Sequence, residues 1–270
     1  MLDPRTAAPE KVGLSSERLA RIDTWMRRLV EDGKLAGVST MVMRRGQVAY
    51  FAATGRADLA RGAPMAADTI VRIYSMTKPL TSVAVMMLYE EGRFQLDDPI
   101  ARFLPCFANL RVAVGGGRGK IDTVPAERDI TIRDLLTHTS GLTYGFMEST
   151  LVDALYRECG VDFQTSNESL ATVVERAATL PLLAQPGRQW NYSIATDVLG
   201  HFVAVVSGQD FAEFLHERVI APLGMADTAF HAPPEKITRF AANYIRGPHG
   251  ALQLIDDPRE SSFGARRLSL

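Results

Sequence analysis

The sequence contains little cysteine. Cys106 and Cys159 are its two cysteines among 270 residues, which is too few for a disulfide framework or a structural zinc site. A chain of this length buries enough apolar surface to fold without such crosslinks. We therefore expect one large domain or two small ones, with both cysteines acting as small apolar core residues.

The chain also lacks an excess of charge and a long apolar run. Its 30 lysines and arginines balance 31 aspartates and glutamates, for a net charge of −1, so no basic patch predicts a nucleic acid or an anionic membrane as partner. No stretch reaches the roughly 18 apolar residues of a membrane-spanning helix, and Met1 to Arg5 do not begin a secretion signal. These features predict a soluble, cytoplasmic protein.

Several common catalytic signatures are missing. The sequence has no G-x-S-x-G elbow, no H-E-x-x-H, no C-x-x-C and no G-x-x-x-x-G-K-[ST],. Residues 114–119 are rich in glycine but lack the strand-then-helix setting of a phosphate-binding loop, so they are predicted to form a flexible loop. We expect neither a metal nor a cofactor, because no metal-ligand spacing joins the histidines His201, His216, His231 and His249.

Apolar periodicity divides the chain into elements. Residues 15–33 place apolar side chains on one helical face, and residues 37–55 switch to β-branched and aromatic residues around a Gly-containing turn, which predicts a helix and then a two-stranded hairpin. Residues 80–88 are apolar almost all the way round, which predicts a buried helix. Further helical patterns cover residues 132–136, 169–178, 196–206 and 211–220.

One short motif with chemical meaning is present, the S-x-x-K of Ser75 and Lys78 at the start of the apolar segment. Residues three apart share a helix face, so the amine can reach the hydroxyl. The alternative is that Ser75 is an ordinary helix N-cap. A capping box has Glu or Gln at the third position, however, and the helix dipole disfavours a cation in the first turn, so Lys78 favours a functional pair.

This position suggests a role for each group. Removal from water and a helix N-terminus both favour the neutral amine of lysine, which could then deprotonate Ser75. The backbone N–H of Ser75 could face the oxyanion that forms when a carbonyl is attacked. A second proton carrier, for the leaving group, is predicted at Tyr192 on a loop that enters a helix, although a tyrosine taken alone is more often simply half-buried.

Four blocks in order carry a resemblance to a known family. They are IYSMTKP at residues 73–79, IRDLLTHTSGL at 132–142, WNYSIATDVLG at 190–200 and PLGMADT at 222–228. Together they resemble the class C β-lactamase-related serine hydrolases, and among these the family VIII carboxylesterases.

The resemblance implies an α+β fold of the β-lactamase/transpeptidase type, with a mixed α/β domain containing an antiparallel sheet and an all-helical domain. It implies Ser75 as the nucleophile that forms an acyl-enzyme, with Lys78 and Tyr192 as general bases. Where β-lactamases have tyrosine-x-asparagine, this chain has Tyr-Ser-Ile ending at Ile194, which favours short-chain carboxylic esters over β-lactams as substrate. His138 is expected to make a structural hydrogen bond.

The same resemblance suggests a domain division. Residues 1–100 are expected to begin the α/β domain, residues 101–230 to form a mainly helical domain with the tyrosine motif, and residues 231–270 to return incompletely to the first. Family members usually run longer, so C-terminal strands and a second oxyanion donor are expected to be missing, which would weaken the site.

Three alternatives remain open at this point. A second copy of the chain could complete the sheet as a homo-oligomer. The chain could instead be a truncated relative that binds ligand without turnover. It could also be a β-lactamase, a D-amino-peptide hydrolase or an acyltransferase on the same scaffold.

Overall fold

The computed structural model describes residues 4–117, 120–161 and 168–264. Within them the helices are α1 (Ser16–Glu31), α2 (Thr77–Glu90), α3 (Ile132–Leu136), α4 (Leu151–Glu158), α5 (Leu170–Ala178), α6 (Ala195–Ser207) and α7 (Phe211–Leu215). The strands are β1 (Gly37–Arg44), β2 (Gln47–Asp58), β3 (Ala63–Pro64), β4 (Arg111–Gly117), β5 (Lys120–Pro125), β6 (Asn243–Arg246) and β7 (Leu252–Asp256). The pairs β1–β2, β2–β3, β4–β5 and β6–β7 are all antiparallel. This mixture of helices with antiparallel sheets confirms the predicted α+β class.

Contacts divide the chain into two compact units. Unit 1 comprises residues 1–72 and 231–266, and unit 2 is mainly residues 73–230. Sequence reasoning placed the first boundary at residue 100 instead. Residues 73–100 group with the helices of unit 2 because α2 packs against α6 and α7.

Unit 1 is built around the predicted helix and hairpin. The turn between β1 and β2 has Arg45 and Gly46 both at positive φ, 54° and 72°, the backbone that matches the twist of a two-residue hairpin. Ser15 caps α1, its side chain accepting a bond from the Arg18 N–H. The Tyr50 hydroxyl on β2 donates to Asp23 on α1 at 2.6 Å. The helix α1 therefore packs as a layer on the hairpin of β1 and β2. Within the described residues β1 pairs with β2 alone.

The return segment of unit 1 is fixed by Arg72. Its guanidinium pairs with Asp256 at 2.5 Å, donates to the carbonyl of Ala241 at 2.5 Å and lies 4.0 Å from the ring centroid of Phe240. A guanidinium that combines an ion pair, a carbonyl and an aromatic face uses the planar geometry that lysine lacks. Arg72 therefore ties the strand β7 to the chain just before unit 2 begins.

Unit 2 has the main apolar core, with α6 at its centre. This helix contacts α2, α3, α5 and α7. Phe202 on α6 forms edge-to-face contacts with Phe94 at 4.9 Å and with Phe103 at 5.1 Å between ring centroids. Such pairs add to the gain from burying the rings, and they fix α6 against the segment that follows α2.

A second hairpin was not predicted. Residues 114–119 were expected to be a flexible loop, but β4 runs through Gly117 and pairs with β5; Arg118 and Gly119 lie outside the described residues. Two observations explain the error. Val112 is buried, and the Ala113 N–H donates to the Leu182 carbonyl at 2.9 Å. Burial and pairing at one end hold the glycines in a strand.

Two further expectations from the sequence were wrong. The helix α2 is not buried all round, because Ala84, Val85 and Leu88 face the core while Val83 is 47% exposed. Both cysteines are exposed and not in the core. Cys106 lies in a short 3-10 turn that gives the core position to the neighbouring Phe107. None of the helices in the described part of the chain is long and apolar enough to cross a membrane.

The turn after α3 generates a stability prediction. Gly141 has a φ of 82°, and a Cβ there would collide with the carbonyl oxygen of Ala184. We expect Gly141→Ala to lower the free energy of unfolding by about 2–4 kcal/mol, since strain at positive φ and a clash with backbone add up. Gly92→Ala is the matched control, because Gly92 has a φ of 71° with open space around a Cβ, and it should cost about 1 kcal/mol. Urea unfolding measures both, and equal losses would contradict the clash.

Candidate active site

Ser75 lies in an exposed 3-10 turn, Tyr74–Met76, that leads directly into α2. Met76 occupies the N-cap position of α2, and no side chain caps this helix. The alternative role of Ser75 as an ordinary N-cap is therefore not seen. Tyr74 has a φ of 42°, a conformation that costs about 1–3 kcal/mol for a residue with a side chain. The chain is strained immediately before this serine.

Lys78 lies in the first turn of α2 and reaches back to the serine. Its Nζ donates to Ser75 Oγ at 3.4 Å and to the hydroxyl of Tyr144 at 3.1 Å. The i, i+3 spacing thus brings the two groups to one face, as the motif predicts. The second partner, Tyr144, comes from a segment 66 residues further along the chain.

Tyr192 completes the predicted trio from the loop before α6. Its hydroxyl lies 2.5 Å from Ser75 Oγ, and Lys78 Nζ lies 4.8 Å from its ring centroid. The loop is held by the neighbouring Asn191, whose backbone N–H donates to the His138 carbonyl and whose side chain donates to the Leu142 carbonyl, both at 2.8 Å. The structure therefore brings Ser75, Lys78 and Tyr192 into contact; their roles in a reaction remain predictions.

Sequence reasoning missed two members of the site. The hydroxyl of Tyr144 donates to Asp197 Oδ2 at 3.1 Å, so both residues connect to Lys78. Asp197 could have been found, because it is the one acidic residue of a helix made mostly of apolar residues. Tyr144 carries no comparable signal, since only the folded chain places it beside Lys78.

The two tyrosines have opposite acidities. Burial works to raise the pKa of Tyr192, but the hydrogen bonds with Ser75 and Lys78 and the charge of Lys78 outweigh it, so the pKa is lowered. For Tyr144, burial together with the charge of Asp197 raises the pKa far above its usual value. Tyr192 is thus the tyrosine that can give up a proton, and Tyr144 stays a neutral donor.

Asp197 is an unusual carboxylate. It is partly buried, and this burial raises its pKa to about 6, although Lys78 and the Tyr144 hydroxyl pull in the other direction. A buried acid whose pKa lies near neutrality is a frequent feature of functional sites. Asp197 can therefore change its charge under mild conditions.

His138 makes the structural contact expected of it. Its Nδ1 lies 3.3 Å from Ser193 Oγ, and its φ of 56° places its backbone in the left-handed region. Burial and, second, the charge of Lys78 lower its pKa, which favours the neutral imidazole. Within the described residues no group of three or more His, Cys, Asp or Glu side chains is arranged to hold a metal.

These contacts form one hydrogen-bonded chain, from Asp197 through Tyr144 and Lys78 to Ser75 and Tyr192. It contains a serine hydroxyl close to a tyrosine oxygen, a lysine amine near both, and a carboxyl group that is connected to the amine through the Tyr144 hydroxyl. Such an arrangement can activate an alcohol for attack on a carbonyl and can return the proton afterwards.

Several known proteins are similar to this chain in sequence. An uncharacterized protein of Mycobacterium tuberculosis is 40% identical over 220 residues, which are 81% of this chain and 53% of that protein. Esterase EstB of Burkholderia gladioli is 36% identical over 258 residues, 94% of this chain and 61% of that protein. The chain thus spans about half to three-fifths of the length of the curated relatives it matches.

A solved structure agrees with these relatives. The protein described as "EstCE1, a hydrolase with promiscuous acyltransferase activity" superposes with a TM-score of 0.77 at 29% identity, over 88% of this chain and 59% of that one. The β-lactamase/transpeptidase-like fold predicted from the four sequence blocks is confirmed by this superposition. Since the Beta-lactamase family model matches residues 22–265, this chain belongs to the beta-lactamase family.

Proposed function

We propose that this chain is a serine hydrolase that cleaves short-chain carboxylic esters through an acyl-enzyme on Ser75. The observation that carries the proposal is the 2.5 Å contact between Ser75 Oγ and the Tyr192 hydroxyl, with Lys78 beside both. The similarity to EstB, named an esterase, and to EstCE1, described as a hydrolase, supports the same reaction class.

The first step is the attack by the serine. Tyr192, whose pKa is lowered, takes the proton of Ser75 as Oγ forms a bond to the ester carbonyl carbon. The sequence motif alone suggests Lys78 as this base, but the tyrosine oxygen is nearer, at 2.5 Å against 3.4 Å for Lys78 Nζ. Lys78 supports the transfer because a cation beside the ring stabilises the phenolate that accepts the proton.

The proton then moves on to the leaving group. Tyr192 gives it to the alkoxide as the ester C–O bond breaks, which leaves the acyl group on Ser75. Water attacks the acyl-enzyme and passes a proton to Tyr192, which returns it to Ser75 Oγ as the acid is released. One tyrosine therefore serves as base and as acid in each half of the cycle.

Stabilisation of the tetrahedral intermediate needs a donor for its oxyanion. The backbone N–H of Ser75 lies at the entry to α2, where backbone N–H groups favour an anion. We assign it as one oxyanion donor. Removing a single donor in such sites costs about 3–4 kcal/mol of transition-state stabilisation.

Tyr144 and Asp197 act as positioning residues in this scheme. Asp197 accepts from the Tyr144 hydroxyl and thereby turns an oxygen lone pair towards Lys78 Nζ, at 3.1 Å for each contact. A lysine side chain has several rotatable bonds, so this anchor limits the positions its amine can adopt. It keeps the cation beside Ser75 and Tyr192.

The position after Ser193 favours esters over β-lactams. Ile194 stands where β-lactamases carry an asparagine, and its side chain is fully buried. It contributes to the core and offers no amide to a substrate. Acyl transfer to an alcohol is a second candidate, which the acyltransferase activity in the description of EstCE1 favours, because the same acyl-enzyme reacts with whichever hydroxyl reaches it.

Three substitutions test the proposed roles. Ser75→Ala should abolish hydrolysis of p-nitrophenyl acetate, and Tyr192→Phe should lower kcat by about 10²–10⁴-fold, the range for loss of general acid–base catalysis. Lys78→Met should also lower kcat, because it removes the charge that stabilises the Tyr192 phenolate. Ser82→Ala on α2 and Tyr89→Phe at its end are the matched controls. Activity in Ser75→Ala equal to that of the unmodified chain would remove the hydrolase assignment, and a phosphonate adduct on any residue other than Ser75 would remove the nucleophile.

The titration of Asp197 predicts a pH dependence. Because its pKa is raised to about 6, its carboxylate is lost as the pH falls through that value, and the anchor for Lys78 weakens. We expect kcat/KM for the acetate ester to decline in this range, and Asp197→Asn to remove the inflection while lowering the rate at pH 8. Asp122→Asn, at an exposed strand position, is the control. An unchanged acidic limb in Asp197→Asn would contradict the role.

The charged form of Asp197 is expected to support activity but to lower the stability of the fold. A pKa raised from 3.8 to about 6 means that the folded chain binds the proton more tightly than the unfolded one, so Asp197 destabilises the fold above pH 6 and this cost disappears below about pH 4. Asp197→Asn should raise the free energy of unfolding at pH 8 by about 1–3 kcal/mol and leave it unchanged at pH 4. Urea unfolding at both pH values checks this, and a loss at pH 8 would contradict it.

A further inference from the structure

Five aromatic rings form a continuous row through the site. From one end the row runs Phe146, Tyr144, Tyr192, His138 and Trp190, with neighbouring ring centroids 4.7, 5.4, 5.1 and 6.4 Å apart. The sequence supplies them from two short stretches, residues 138–146 and 190–192. We call this set the aromatic row. All its members belong to unit 2.

The row is joined to the reacting hydroxyl. Its central ring, Tyr192, lies 2.5 Å from Ser75 Oγ through its hydroxyl. The rings on either side are held by polar contacts, Tyr144 through Lys78 and Asp197 and His138 through Ser193. A group bound along the row would therefore lie against fixed surfaces next to the carbonyl that Ser75 attacks.

The two ends of the row are open. Trp190 is 65% exposed and Phe146 is 59% exposed. Phe146 is stacked on Tyr144 with the ring planes at 23°, so Tyr144 covers one side of a ring that remains largely exposed. Large aromatic side chains left in water next to a polar reactive centre are typical of ligand-binding surfaces.

The two rings next to Tyr192 favour their neutral forms. Burial and Lys78 keep the His138 imidazole neutral, and the Tyr144 phenol stays protonated. The charges of Lys78 and Asp197 are engaged by tyrosine hydroxyls. What the row offers a ligand is ring surface, which pairs best with another ring.

We propose that the aromatic row binds a flat, uncharged aromatic group of the ester substrate, with Phe146 and Trp190 as specificity-determining residues. The inference rests on the proposed esterase function, since it places the ester carbonyl at Ser75. It adds the substrate class: short-chain esters in which one of the two parts carries an aryl ring. An aromatic pair favours such a ring over a saturated ring of equal carbon number by about 3–10-fold in affinity.

The experiment measures binding separately from turnover. A variant with Ser75→Ala and Trp25→Phe cannot form the acyl-enzyme. Of the two tryptophans of the chain, it retains Trp190 alone. Calorimetric titration gives Kd for benzyl acetate and for cyclohexylmethyl acetate, and the fluorescence of Trp190 reports where the ligand binds. We expect benzyl acetate to bind about 3–10-fold more tightly and to change the fluorescence.

Substitutions that keep apolar surface but remove a ring isolate the aromatic contribution. Phe146→Leu and Trp190→Leu, each in the same background, should bring the ratio of the two Kd values to about 1, with the value for cyclohexylmethyl acetate changed less than about twofold. Leu223→Ala is the control, since Leu223 is equally exposed at 68% and lies outside the row. It should leave the ratio unchanged.

Each outcome bears on a different proposal. Absence of saturable binding of benzyl acetate, or a ratio that survives in both leucine variants, overturns the inference about the row. If binding behaves as expected but the chain with Ser75 intact hydrolyses neither ester, the row is supported and the hydrolase proposal fails. Hydrolysis of both esters with equal KM supports the hydrolase and overturns the row.

Discussion

The site depends on one short contact between two distant parts of the chain. Ser75 Oγ and the Tyr192 hydroxyl meet at 2.5 Å although 117 residues separate them. The contact requires α2 and α6 to pack closely, because Ser75 lies just before α2 and Tyr192 lies just before α6. The apolar core of unit 2, including Leu88 and Phe202, is thus what sets the distance between the two oxygens. The geometry of the site therefore depends on the packing of this core.

Near that contact, two side chains of the same type have pKa values shifted in opposite directions by their surroundings. Two tyrosines lie within 5.4 Å of each other by their ring centroids, yet the pKa of Tyr192 is lowered and that of Tyr144 is raised. The difference comes from their neighbours, a serine and a lysine for one and a buried carboxylate for the other. The raised pKa of this partly buried carboxylate predicts a lower stability at neutral pH, a cost that functional sites often carry.

Features that depend on residues close together in the chain could be predicted from the sequence. The spacing of Ser75 and Lys78 and the Gly-containing turn at Gly46 each follow from a few adjacent residues, and the structure contains both. The hairpin of β4 and β5 was missed because it depends on the burial of Val112 and on an isolated bridge from Val112 to the distant Leu182. Tyr144 was missed for the same reason, since its contact with Lys78 exists only after folding. Completion of the sheet by a second copy remains a prediction.

The left-handed backbone at Tyr74 and His138 has a consequence for engineering. These two residues flank the Ser75–Tyr192 contact in sequence or in space, and both hold φ values that branched side chains rarely adopt,. In a library randomised at these positions, members with valine or isoleucine would lose about 1–3 kcal/mol of stability at each site. Glycine and asparagine tolerate the required geometry, so they define the narrow alphabet through which the chain can be varied there.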